Sequence, residues 1–118
     1  MTDCGYLFEL PDQDQLARQA DDLMQRANLV RRYGFDEYRH IWSSGEILGT
    51  ALVLHDETEL QRCSETPVSA LDRWAYSLWG VTGGAADSAA GLPRTRAWFD
   101  AIRAGMHTPS THQRPATG

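Results

Sequence analysis

Lysine is absent from this chain of 118 residues, and all eleven of its basic side chains are arginine. That absence removes the P-loop, whose G-x-x-x-x-G-K-[ST] run needs a lysine to reach a nucleotide's phosphates. Cysteine is scarce. Cys4 and Cys63 stand far apart without partners at metal-site spacing, so two reduced thiols are expected rather than a zinc site or a disulfide framework. No stretch approaches the roughly 18 to 20 apolar residues of a membrane span. The N-terminus, MTDCGYLFEL, lacks the basic region and long apolar run of a secretory signal. A cytoplasmic protein without membrane contact is expected. Positive charge is also outnumbered. Sixteen Asp plus Glu give a formal net charge of -5, which disfavours general binding to nucleic acid or anionic membrane and suits a basic partner.

What the chain does contain is material for a core. Hydrophobic residues make up 42%, with four Trp, four Tyr and three Phe, and large rings bury large areas. The length is close to the commonest for one domain. One helical domain is expected over residues 1–106. A flexible tail is expected over 107–118, where HTPSTHQRPATG has two prolines and little to bury. Residues 4–10, CGYLFEL, alternate weakly and read as an extended arm.

The helices announce themselves by their caps. Asp12 and Gln15 make a capping box ahead of Leu16, Ala20, Leu23, Ala27 and Val30, whose 4-3-4-3 spacing draws one apolar stripe. Gly34 stops that helix by taking a left-handed conformation, after which Phe35 folds back. Phe35, Tyr38 and Trp42 predict a short helix over 35–42. Ser43 and Glu46 form an S-x-x-E box before EILGTALVL, and the polar HDETELQRC extends that helix to about Arg62. On its wheel Ile47, Leu48, Ala51, Leu52 and His55 share a face, while Val53 and Leu60 lie opposite. Apolar on both sides, it should be the central helix. Thr66 followed by Pro67 starts the next helix, with Val68, Leu71, Trp74, Ala75, Leu78 and Trp79 inward, and Gly80 ends it. The segment GVTGGAADSAAG, with four glycines in twelve residues, reads as a small-residue loop with room for one turn of helix. A last helix runs from Pro93 to about Gly105. The expected fold is all-α: a single compact bundle of about five helices.

Chemical motifs are few. His55, Glu59 and Cys63 fall one turn apart on the expected central helix, but zinc requires three or four suitably placed ligands and no spacing supplies them. His55 is therefore expected to be a hydrogen-bonded histidine within an apolar face, with no metal and no cofactor. His40 has no G-x-S-x-G nucleophile beside it. Cys63 reads as a structural thiol despite the adjacent Arg62.

Trp and Arg are the residues most enriched in binding hot spots. Arg39 with Trp42, and Arg73 with Tyr76, are thus expected to mark a contact face. Arg94 and Arg96 stand at a helix start, where outward-pointing amides could receive an anion. The plainer reading there is a solvent-facing turn whose arginines pair Asp87 or Asp100. The leading expectation is a non-enzymatic protein-interaction module, an accessory factor or inhibitor, with a basic and nucleic-acid-handling partner. A second is a helical DNA-binding regulator, disfavoured because Asp21 and Asp22 dilute the basic face of the first helix. A third is a metal- or cysteine-dependent enzyme around His55 and Cys63. The first helix can lie on its own core or pair with its symmetry mate in a homodimer.

Overall fold

The computed structural model of the protein describes residues 13–107. The expected N-terminal arm, the Asp12 cap and the tail beyond 107 lie outside the described residues. Within them the fold is all-α, five helices and no strand: α1 (Gln13–Tyr33), α2 (Ser44–Leu54), α3 (Glu57–Arg62), α4 (Pro67–Ala89) and α5 (Pro93–His107). The α1 stripe buries Leu23, Ala27 and Val30. Gly34 ends the helix at φ 88 and donates its N–H to the Val30 carbonyl at 2.7 Å. Phe35 then enters the core.

Residues 35–42 do not form the expected helix. Only Phe35–Glu37 make a 3-10 turn, followed by hydrogen-bonded turns. The aromatic spacing serves a different end. Tyr38 and Trp42 stack with centroids 4.4 Å apart, and the Arg26 guanidinium lies 4.8 Å from the Trp42 ring.

α2 is the central helix, as its two-sided apolarity implies. Every residue from Ile47 to Val53 is buried, and the helix packs against all four others. Its start is the expected reciprocal box: Ser43 Oγ accepts the Glu46 N–H at 3.2 Å, and Glu46 Oε1 accepts the Ser43 N–H at 2.9 Å. Gly49 opens one flank of the helix to an indole. Trp74 Nε1 donates to the Gly45 carbonyl at 3.1 Å, and a β-carbon at Gly49 would stand 2.6 Å from the Trp74 ring. Trp74 also stacks on Trp98 and meets the edge of Phe99, which is fully buried. Burying a side chain such as Phe99 contributes about 1.5–3 kcal/mol.

The helix does not continue to Arg62. It ends at His55, a left-handed residue at φ 57, ψ 37. Asp56 then caps α3 by accepting the Glu59 N–H at 3.0 Å. His55 is consequently exposed at a corner and not set in an apolar face. Beyond the turn Leu60 still enters the same core as Val53, at 1% and 3% exposure.

α4 starts as expected, with the backbone N–H of Thr66 and of Ser69 each donating to the other's side-chain hydroxyl and Pro67 in the first turn. The glycine-rich segment behind it carries more helix than the single turn the sequence allowed for. Gly80, at φ 85 and ψ 178, breaks α4 into two arms, 67–79 and 81–89. The arms fold back on one another. Ser88 donates to the Asp72 carboxylate, and Gly84 sits against Tyr76. Residues eight and sixteen apart on one straight helix would be separated by about 12 and 24 Å, so these contacts require a hairpin. The small residues are there for close approach, not for looseness.

Candidate functional site

The six arginine and aromatic positions marked in the sequence do not converge. Arg39 is held internally: its Nε and Nη2 donate to Glu59 at 3.0 and 2.7 Å, and Nη1 meets Asp36. Glu59 is buried, with 4% of its side chain exposed. Its hydrogen bonds to Arg39 raise the arginine's pKa far beyond its already high ordinary value, outweighing the opposing effect of desolvation. Trp42 is half-buried against Tyr38 and Arg26. Arg73 pairs with Glu65 at 2.7 Å. Tyr76 is 42% exposed but backs onto Gly84. Arg94 lies over Trp79, 4.0 Å from the ring centroid.

The amides that could receive an anion at the start of α5 are met by the chain itself. Asp87 accepts the N–H groups of Arg94 and Thr95 at 2.9 and 3.0 Å and the Thr95 hydroxyl at 2.5 Å. Thr95 in turn accepts Trp79 Nε1–H at 3.0 Å. Asp87, Thr95 and Trp79 are all buried. Burial pushes the Asp87 carboxyl up, but the bonds from Thr95 and Arg94, with the Arg94 charge, outweigh it and hold the group below its ordinary value. An internal carboxylate thus caps α5 where an external anion could have bound. Asp100, the other acid considered for this turn, pairs instead with Arg103.

Of the six, Arg96 alone lines a cleft, of about 250 Å³, between the α2–α3 corner and the facing parts of α4 and α5. Leu52, Leu60, Leu71 and Phe99 form its floor, and His55, Glu57, Arg96, Asp100 and Arg103 its rim. The residue that builds this corner is Arg103. It donates from Nη2 to the Leu52 carbonyl at 2.8 Å and from Nε to the Val53 carbonyl at 3.2 Å. Carbonyls in a last helical turn are short of intrahelical partners; the Leu52 carbonyl also accepts the His55 N–H at 3.2 Å, and the guanidinium adds a donor to each carbonyl from about fifty residues away. Arg96 has a lighter commitment, one bond from Nε to the Gly91 carbonyl at 3.1 Å.

Sequence reasoning missed Arg103, and no local signal marks a bond across that separation. The His55 corner did carry a signal: Asp56 and Glu59 have the spacing of a helix start. His55 and Cys63 flank α3 at opposite ends. The half-buried Cys63 thiol is pushed up by burial and by Glu59 and Glu65, against the pull of Arg39 and Arg62, so it is not primed as a nucleophile. Among the described residues no three His, Cys, Asp or Glu side chains are placed to hold a metal ion. No helix among them is long and apolar enough to cross a membrane. Comparison with protein-family models, curated proteins and solved structures finds no match to this chain.

Proposed function

We propose that this protein is a non-enzymatic protein-interaction module that docks a partner through the cleft at the α2–α3 corner. The observation that carries the reading is the pairing of an apolar floor with a polar rim in a cleft of about 250 Å³. Sites for drug-sized ligands occupy about 300–1,000 Å³, so this cleft suits a few side chains of a partner better than a cofactor. Its walls come from helices held by caps and by Arg103, which favours a preformed contact with little ordering on binding. The chain's net charge of -5 favours a basic partner during long-range encounter.

A photo-crosslinking residue at Glu57, on the exposed rim, tests this in the native cell. A discrete adduct is expected from position 57 and none from Val81, which is 79% exposed and outside the cleft. No adduct from position 57, or equal labelling from both positions, counts against the module. A gel shift at low salt tests the competing regulator: saturable, salt-sensitive binding to duplex DNA would replace this reading.

A further inference from the structure

We draw no further inference here: the strongest candidate, the groove lined by Val30, Val53, Leu54 and Met106 between the end of α1, the α2–α3 corner and the last turn of α5, offers charges of both signs in Arg31 and Asp56, and nothing in the structure shows what covers it.

Discussion

Tyr76 and Gly84 face one another across the two arms of α4 with no room for a side chain: a β-carbon on Gly84 would stand 2.7 Å from the Tyr76 Cα. Backbone cannot swing aside as the end of a flexible side chain can. Gly84→Ala is therefore expected to destabilise the protein by about 1–3 kcal/mol, the usual range for overpacking. Gly80→Ala should do the same by another route, since φ 85 with ψ 178 belongs to a region occupied almost only by glycine, at about 1–3 kcal/mol for other residues. Gly45 is the control. Nothing lies within 4 Å of a β-carbon there, and Gly45→Ala should stabilise by about 0.4–1 kcal/mol. Urea unfolding of the three variants reads all of these changes.

Asp87 makes stability depend on acid in a stated direction. Its folded carboxyl lies below the ordinary value because hydrogen bonds from Thr95 and Arg94 prevail over burial. A depressed folded pKa contributes stability that is present above the unfolded pKa, about 3.9 for Asp, and is lost as pH falls through the folded value. Asp87→Asn keeps one acceptor but turns an amide NH₂ toward donors already waiting there. A loss of about 1–3 kcal/mol at neutral pH is expected. The gap from the parent chain should narrow as both are titrated toward pH 3. Unfolding curves collected across that range check the sign and the convergence.

How much of this was legible follows the reach of each interaction. Ser43 with Glu46, Thr66 with Pro67, and the Gly34 stop are chemistry within three or four residues, and each stands where the sequence placed it. Segment 80–91 was read as holding too little helix because glycine has two uses. Composition suggests a free backbone, but in the fold Gly84 permits a helix to lie against Tyr76. That distinction depends on a neighbour from another arm, which spacing does not reveal. The same holds for the candidate site. Arg39 and Arg73 look like contact residues until Glu59 and Glu65 are seen to hold them, whereas Arg96 acquires its place only when α5 meets the α2–α3 corner.

The two arginine pairs separate an internal ion pair from a surface one. Arg39 joins the segment after the 3-10 turn to the buried carboxylate of Glu59, while Arg73 and Glu65 meet on a face where 60% of the arginine side chain is exposed. Truncating one partner of a buried pair leaves the other charge uncompensated, whereas a surface pair contributes little. Arg39→Ala should therefore lower the melting temperature distinctly more than Arg73→Ala. Raising the salt concentration should shrink the Arg73 effect more than the Arg39 effect. Equal losses for the two variants would mean that Glu59 finds another partner, Arg62 at 3.5 Å being the nearest at hand.

His55 separates what the corner needs from what it presents. The backbone there is left-handed, at φ 57 and ψ 37, a conformation that disfavours residues with a β-carbon by about 1–2 kcal/mol. Glycine is the usual occupant of such a helix end. His55→Gly is therefore expected to leave the fold intact and stabilise it by up to about 1 kcal/mol, with part of the gain offset by the freer unfolded chain. His55→Val should destabilise, because a β-branched side chain tolerates that backbone poorly. If thermal unfolding instead shows His55→Gly to be clearly less stable than the parent, the imidazole makes an interaction that outweighs the backbone strain. The corner would then be held by its side chain, and not only by the Arg103 bonds beneath it.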